Sequence, residues 1–331
     1  MRIRKSEAKE WAREYMVGPW GVHWLPYDAD FQIDEPGLRA HVEKVLAQGM
    51  TGVAVAGLLA EIWNLSIEER KRVATIVIDQ IGGRIPAYVS GSSHSVEDTL
   101  DIVHNAEDIG AEAVMIWAPY EHAKSEAEMY RFYEHIHNNS DIAIAAYSTP
   151  HSGKAMSAEL VNAIAQLEGV CSIKYVTWNF ADYVRATELC GKDIVISYPF
   201  EESILVQMRY FGAQLLLATT SVNLMQSTTH QPIREAMALG AEGRWEEAQK
   251  VYDSMSSARK LWTDLYSVYP NENRHPNAET KYWAHAMGLL DNPLVRPPQL
   301  QITPAAKARV DEALRQHPEL LPDAPATRQA A

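Results

Sequence analysis

Cysteine, long apolar runs and basic charge are all scarce in this chain of 331 residues. Its two cysteines, Cys171 and Cys190, cannot build a disulfide framework, and neither belongs to a CxxC pair. No apolar run approaches the roughly 20 residues that a membrane helix needs. The charged N-terminus is not followed by the apolar stretch of a signal peptide. These absences predict a protein of the reducing cytoplasm.

Acidic residues outnumber basic ones, with 43 aspartates and glutamates against 30 lysines and arginines and a net charge of −13. So acidic a chain is not expected to bind nucleic acid or an anionic membrane surface. The sequence has no G-x-G-x-x-G turn and no P-loop lysine. It also has no His, Asp and Glu residues at the spacing of metal ligands. We therefore expect a small-molecule partner and neither a metal nor another cofactor.

Short apolar runs alternate with amphipathic stretches between about Gly18 and Gly240. Eight successive units of strand then helix favour a (β/α)8 TIM barrel. The alternative is a doubly wound open sheet, which normally carries a glycine-rich phosphate turn after an early strand. The predicted strands are 21–25, 52–56, 85–90, 113–117, 142–147, 171–175, 193–197 and 214–219.

The composition changes at both ends of this alternating region. Residues 1–17 predict an amphipathic N-terminal helix, and residues 18–240 form the predicted barrel. Residues 241–316 predict a C-terminal helical extension whose segments are separated by prolines. Residues 317–331 are rich in proline and alanine and are expected to form a disordered tail.

The most informative residue is Lys174, which lies inside the apolar run 169–176. Because a strand alternates its side chains between two faces, Lys174 shares a face with Ser172. An amine on an apolar strand loses hydration, which lowers its pKa and frees it to attack a carbonyl. A solvated strand-end lysine is the alternative. Lys174 lies in the middle of a strand that is central in the predicted barrel, and Tyr147 ends the strand before it. Both positions favour a Schiff-base lysine with a phenol nearby for proton transfer.

Several segments resemble the dihydrodipicolinate synthase/N-acetylneuraminate lyase superfamily. Gly57-Leu58-Leu59-Ala60-Glu61, followed by 65–70, is similar to its Gly-Thr-Thr-Gly-Glu region and the helix start after it. Tyr147-Ser148-Thr149-Pro150 resembles its Tyr-Asn-x-Pro motif, and Ser172-Ile173-Lys174 resembles the strand that bears its imine-forming lysine. Ala118-Pro119-Tyr120 is similar to its Thr-Pro-Tyr. These motifs occur in the family's order and spacing from about Gly18 to Leu314.

The resemblance implies a metal-independent class I lyase on a TIM barrel, assembled as a homotetramer or homodimer. It implies Lys174 as the imine nucleophile, Tyr147 as the acid and base, and Tyr120 as a further catalytic residue. The predicted substrate-binding residues are Gly57, Leu58, Leu59, Ser148, His151, Ser197 and Leu217.

The sequence also departs from the family's pattern. Leu58 and Leu59 replace two hydroxyl residues that bind the carboxylate of pyruvate in the family, and Glu121 replaces a second tyrosine of the family's proton relay.

Aldolase-type cleavage or condensation of a keto acid or related carbonyl compound is the leading hypothesis for the function. Hydration or dehydration through the same imine is the second, and a catalytically retired binding or regulatory barrel is the third. Aromatic residues near the mouth suggest an aromatic or hydrophobic acceptor: Trp24, Trp63, Trp117, Tyr120 and Trp178.

Overall fold

The computed structural model describes residues 3–119, 125–150, 154–217, 221–266 and 274–321. Eight parallel strands form one sheet in the order β7-β6-β5-β4-β3-β2-β1-β8. The strands are β1 Gly18–Val22, β2 Gly52–Val55, β3 Ala87–Ser90, β4 Ala113–Ile116, β5 Ala143–Ser148, β6 Val170–Tyr175, β7 Val195–Ser197 and β8 Leu215–Leu217.

The sheet closes on itself through its last strand. β8 pairs in parallel with β1, with Leu215 opposite Gly18. On its other side, the N–H of Leu217 donates a hydrogen bond of 2.8 Å to the hydroxyl oxygen of Ser197 on β7. Strand and helix alternate along the chain, so the predicted (β/α)8 TIM barrel with a C-terminal helical extension is confirmed.

Helices follow the strands where the sequence predicts them, and serine caps begin several of them. Ser66 forms a capping box, because its hydroxyl accepts from the N–H of Glu69 and the Glu69 carboxylate accepts from the N–H of Ser66. The helices are α1 Ala8–Tyr15, α2 Glu35–Ala47, α3 Ile67–Ile81, α4 Val96–Asp108, α5 Glu126–Asn138, α6 Ala158–Ala165, α7 Phe180–Cys190, α8 Ile204–Phe211, α9 Ser221–Leu224, α10 Pro232–Ala241, α11 Trp245–Ser254, α12 Ser256–Tyr266, α13 Asn277–Ala286 and α14 Pro304–Arg315.

The first strand begins three residues earlier than the sequence predicts. Gly18, Pro19 and Gly21 resemble strand breakers, but the carbonyl of Pro19 accepts hydrogen bonds from the N–H and the hydroxyl of Thr51. The indole of Trp20 is buried and occupies the space that a Cβ on Gly52 would need. Glycine on the neighbouring strand thus makes room for a large inward side chain, and a local propensity rule cannot detect this.

The C-terminal helical region also differs in detail from its prediction. The amphipathic stretch 245–265 predicts one helix, whereas α11 and α12 are separate and Met255 stands between them. Within the ranges that the structure describes, no helix is long and apolar enough to span a bilayer.

The chain divides into two compact units. The first comprises Met1–Trp20, Thr51–Ala56 and Ser66–Ala218 and contains most of the strands. The second comprises Gly21–Met50, Gly57–Leu65 and Thr219–Ala331 and contains α2 and helices α9 to α14. The boundaries expected at residues 17, 240 and 316 stay a prediction.

Two buried histidines in the second unit predict acid sensitivity. Trp24 N–H donates to Nε2 of His41, whose Nδ1 lies 2.9 Å from the carbonyl oxygen of Leu289. Burial lowers the pKa of His23 to about 4 and that of His41 to about 3. An unfolded histidine titrates near its ordinary pKa of 6.5. Below that pH the unfolded chain therefore binds protons that the folded chain does not, and stability falls.

We expect the free energy of unfolding to fall by about 2 kcal/mol for each of these histidines between pH 7 and pH 4.5. Urea denaturation at the two pH values measures the change. The variant His41→Gln, which keeps a neutral hydrogen-bonding side chain, should lose about 2 kcal/mol less than the wild type on acidification. Equal losses in the two proteins would show that His41 is not the titrating group.

Candidate active site

Lys174 lies near the end of β6, between two paired strands of the barrel. In the parallel register it stands opposite Tyr147 of β5 and opposite Ser197 of β7. The other face of β6 packs outward, since the phenol of Tyr175 donates to the carbonyl of Met156 at 2.8 Å. The strand alternation thus separates Lys174 from Tyr175 and directs the amine to the face that Tyr147 shares.

The amine of Lys174 is nearly excluded from solvent. Its residue is 6% exposed, and burial lowers its pKa from the ordinary 10.5 to about 8. Nζ lies 5.3 Å from the centre of the Tyr147 ring. A ring face attracts an ammonium, so this contact opposes the loss of the proton, but desolvation outweighs it. An amine of this pKa is neutral often enough near pH 7 to act as a nucleophile.

Tyr147 is itself held among aromatic side chains inside the barrel. It is 7% exposed, and the edge of the Trp117 ring meets its ring with the centres 5.5 Å apart. Tyr88 on β3 is buried, which raises the pKa of its phenol, and the nearby Tyr147 raises that pKa further. Trp20 stacks on Tyr88 with the ring centres 5.9 Å apart. The amine and the phenol therefore share an aromatic interior.

The serines predicted to bind substrate also hold the backbone around this site. The hydroxyl oxygen of Ser148 accepts from the N–H of Met156 at 2.9 Å. The carbonyl of Ser148 accepts from Val176 N–H, which ties the end of β5 to the end of β6. The hydroxyl of Ser197 joins β7 to Leu217, as described above. Leu217 is buried in β8. These contacts fix the strand ends on which Lys174 and Tyr147 stand.

The sequence matches the model of the dihydrodipicolinate synthetase family over residues 20–317. The chain belongs to this family. The resemblance predicted from its motifs is confirmed, and so is the enzyme class at the level of an aldolase-type lyase.

Individual family members are similar over most of their length. The 4-hydroxy-tetrahydrodipicolinate synthase of Bartonella quintana is 26% identical over 291 residues, which cover 87% of this chain and 94% of that protein. The synthase of Methanothermobacter thermautotrophicus is 24% identical over 240 residues, 71% of this chain and 83% of that protein.

Solved structures of the family share the fold. Dihydrodipicolinate synthase from Aquifex aeolicus has a TM-score of 0.81 at 17% identity, covering 93% of this chain and all of that chain. YagE from E. coli K12, a prophage protein of the family in complex with pyruvate, has a TM-score of 0.80 at 19% identity. That match covers 91% of this chain and 98% of YagE.

The turn that stands at the family's Gly-Thr-Thr-Gly position belongs to the second unit. Leu58–Ala60 forms one turn of 3₁₀ helix, in which Leu59 is buried and Leu58 is half-buried. The side-chain amide of Asn277 donates to the carbonyl of Leu58 at 3.2 Å. A Cβ on Gly57 would meet no heavy atom within 4 Å, so the space above this glycine is open.

Glu61 ends the 57–61 motif, where a carboxylate can be a pocket acid or a structural partner, and it forms a fully buried ion pair. Its Oε1 lies 2.8 Å from Nζ of Lys281, and its Oε2 accepts from the N–H of Arg296 at 2.9 Å. The ring of Tyr27 lies 4.5 Å from the Lys281 amine and 4.8 Å from the Arg296 guanidinium. Burial lowers the pKa of Lys281 to about 8, although Glu61 raises it. These contacts favour the structural interpretation of Glu61.

The aromatic residues proposed for an acceptor pocket have different surroundings. Trp24 is buried in the second unit, where its Nε1 donates to the hydroxyl of Thr280 at 3.3 Å. Trp63 packs against His275 in the same unit. Trp178 follows β6 in the first unit and is 61% exposed, with its ring 5.8 Å from that of Phe200. Trp24 is therefore a packing residue, whereas Trp178 is an exposed aromatic side chain that a ligand can contact.

Two predicted site residues, Tyr120 and His151, lie outside the described residues. Among the residues that are described, no three His, Cys, Asp or Glu side chains form a group that could hold a metal ion. No motif in the sequence indicates Tyr88 and Trp20, which line the interior beside Tyr147. The alternation of large and small residues in β1 and β3 indicates which side chains share a face of the strand. It does not indicate which residues of other strands lie beside them.

Proposed function

We propose that the protein is a class I lyase that cleaves or condenses a keto acid or related carbonyl substrate through an imine on Lys174. The observation that carries this proposal is a buried amine of lowered pKa whose strand partner is a buried phenol. Family membership supports it at the level of aldolase-type chemistry. Pyruvate bound to YagE supports an α-keto acid as the carbonyl compound.

The chemistry begins with the neutral amine of Lys174. Nζ attacks the substrate carbonyl carbon, and the Tyr147 phenol gives its proton to the hydroxyl group that leaves as water. The protonated imine then remains as an electron sink beside the Tyr147 phenolate. When the bond between the α and β carbons breaks, its electron pair enters the imine and gives an enamine. Tyr147 accepts the proton of the β-hydroxyl group, which becomes the carbonyl of the released product. Tyr147 then returns this proton to the α carbon, and attack of water on the imine releases the product and restores the amine.

The same imine supports a second reaction. Tyr147 takes a proton from the α carbon and gives it to the departing β-hydroxyl group, which eliminates water instead of cleaving the carbon–carbon bond. We place retro-aldol cleavage or condensation first and dehydration or hydration second. Product analysis by NMR distinguishes them, because only cleavage yields two carbon fragments.

The substrate differs in our proposal from that of the 4-hydroxy-tetrahydrodipicolinate synthases. Residues 151–154 contain no arginine, whereas the synthases carry one there for their second substrate. Leucines at 58 and 59 offer no hydroxyl donor to a carboxylate. A buried anion that lacks such a hydrogen bond is typically destabilised by about 1–3 kcal/mol. The exposed ring of Trp178 and the Trp117 ring against Tyr147 support an aromatic or hydrophobic acceptor.

Reductive trapping with a panel of carbonyl compounds tests this proposal. The protein is mixed with borohydride and pyruvate, a longer aliphatic keto acid or an aryl-bearing keto acid, and its intact mass is measured. We expect one adduct for each chain with at least one keto acid, in wild type and in the control Lys192→Met, whose lysine is exposed. No adduct with any compound, together with ligand-induced thermal shifts, would replace this proposal by the binding or regulatory barrel.

The lowered pKa of Lys174 predicts how the trapping rate depends on pH. At pH 7 about a tenth of an amine of pKa 8 is neutral, against about one in three thousand for an ordinary lysine of pKa 10.5. The initial trapping rate should rise with pH and level off above about pH 8. Rates measured from pH 6 to 10 at fixed keto acid give the midpoint. A midpoint near the ordinary lysine value would indicate a solvated amine.

We also propose that the protein assembles as a homotetramer or homodimer, as the resemblance implies. Sedimentation velocity over a range of concentrations measures the assembly state directly. A monomer at every concentration would remove this part of the proposal.

A further inference from the structure

A phenol from helix α5 lies between strands β4 and β5 beside the backbone of Tyr147. The hydroxyl of Tyr133 donates to the carbonyl of Ile116 at 2.8 Å. The N–H of Tyr147 lies 3.4 Å from the same hydroxyl oxygen, and the Tyr147 carbonyl oxygen lies 3.5 Å from it. Tyr133 is buried. One hydroxyl therefore contacts both peptide groups of the residue whose phenol we place in proton transfer.

The position of this hydroxyl in the sheet explains why it matters. β4 and β5 are parallel, and Ile116 stands opposite Ala146. In that register the N–H of Tyr147 and the carbonyl of Ile116 face each other across the two strands. The Tyr133 hydroxyl bonds to both groups, at the end of β5 where Tyr147 pairs with Lys174. The hydroxyl therefore ties helix α5 to the ladder between β4 and β5 at the site.

Helix α5 places Tyr133 there through its own sequence. A capping box of Ser125 and Glu128 begins the helix. Its buried face then carries Met129, Phe132, Tyr133 and Ile136, at the three- and four-residue spacing of one helix side. Burial raises the pKa of the Tyr133 phenol, so the group is neutral and keeps its proton for donation. The Phe132 ring meets the Tyr133 ring edge-on at 5.5 Å between centres and limits its movement.

We propose that Tyr133 is a positioning residue that sets the Tyr147 phenol relative to Lys174. This inference rests on the proposed function, in which Tyr147 transfers protons to and from the imine. Removal of the hydroxyl takes away this link to α5, so the end of β5 that carries Tyr147 is held less firmly. A misplacement of about 1 Å in a reacting group can cost about a hundredfold in rate.

The test separates imine formation from proton transfer. Pyruvate is the probe: reductive trapping measures the imine, and exchange of its methyl protons in D₂O, followed by NMR, measures enamine formation. In Tyr133→Phe we expect the extent of trapping to stay within twofold of wild type and the exchange rate to fall about 10- to 100-fold. Tyr183→Phe, which alters a buried phenol on α7, is the matched control and should leave both unchanged.

A double variant shows whether Tyr133 acts through Tyr147. Tyr147→Phe should slow exchange on its own, and adding Tyr133→Phe should slow it no further. Exchange of the methyl protons at the wild-type rate in Tyr133→Phe would overturn the positioning role. Equal losses of trapping and exchange would overturn it as well. So would additive effects in the double variant. Failure of the wild type to trap any carbonyl compound would instead overturn the proposed function, so the two failures are distinguishable.

Discussion

Lys174→Met is expected to abolish reductive trapping and to lower turnover of any substrate by at least about a thousandfold, equivalent to about 4 kcal/mol of barrier. The imine is the proposed electron sink, and a thioether cannot form one. Intact-mass analysis after borohydride reduction measures the first effect, and steady-state kinetics with a keto acid identified by trapping measures the second. Lys192→Met, which removes an exposed lysine, should change neither.

The same variant is expected to be more stable than the wild type. Burial holds the pKa of Lys174 near 8, below the 10.5 of an unfolded lysine. The stabilising effect of the neutral amine is present above pH 10.5 and is lost as the pH falls through 8, so at pH 7 the buried charge destabilises the fold. A methionine of similar length removes that cost. We expect the free energy of unfolding to rise by about 1–3 kcal/mol.

Urea denaturation at pH 7 measures this gain in stability. A large loss of stability in Lys174→Met would indicate that the amine makes essential contacts with the fold. Loss of turnover would then follow from damage to the structure, and the proposed role of Lys174 would lose its support. Loss of turnover together with equal or higher stability is the combination that a nucleophile predicts.

Glu61→Gln is expected to lower the free energy of unfolding by about 3–5 kcal/mol. The substitution leaves the Lys281 ammonium fully buried without its carboxylate partner. A buried charge that loses its partner keeps the full cost of its removal from water. Equilibrium denaturation in guanidinium measures the effect, with the slope of the transition checked against the wild type.

Two further variants test whether the loss of stability in Glu61→Gln comes from the unpaired charge of Lys281. Glu61→Gln combined with Lys281→Met removes both charges and should recover a large part of the lost stability. Arg244→Ala breaks the exposed pair of Arg244 and Glu247 and should leave the free energy of unfolding almost unchanged. If the double variant is no more stable than Glu61→Gln, the loss would come from packing rather than from the orphaned charge.

The sequence was most informative where a local pattern and the fold agree. The apolar run around Lys174 predicted a strand, and alternation within it predicted which residues share a face with the amine. The register places Tyr147 directly opposite Lys174. Motif spacing also predicted the family and the barrel, because eight strand–helix units leave few alternatives.

The parts that the sequence did not reveal depend on contacts between distant residues. β1 was displaced in the prediction because the fit between Trp20 and Gly52 is made by two strands. The partner of Glu61 lies 220 positions away, at Lys281. In the sequence Tyr133 is only one more apolar position on an amphipathic helix, since the hydroxyl's partners belong to the strand before the helix and the strand after it. Pairwise contacts of this kind carry no periodic signal.

The central claim is that one buried amine forms the covalent link to substrate. Peptide mapping of the borohydride-reduced protein after incubation with a keto acid tests it most directly. We expect the added mass on Lys174, in one copy for each chain. An adduct confined to other lysines, or an unmodified Lys174 in protein that still turns over substrate, would contradict it.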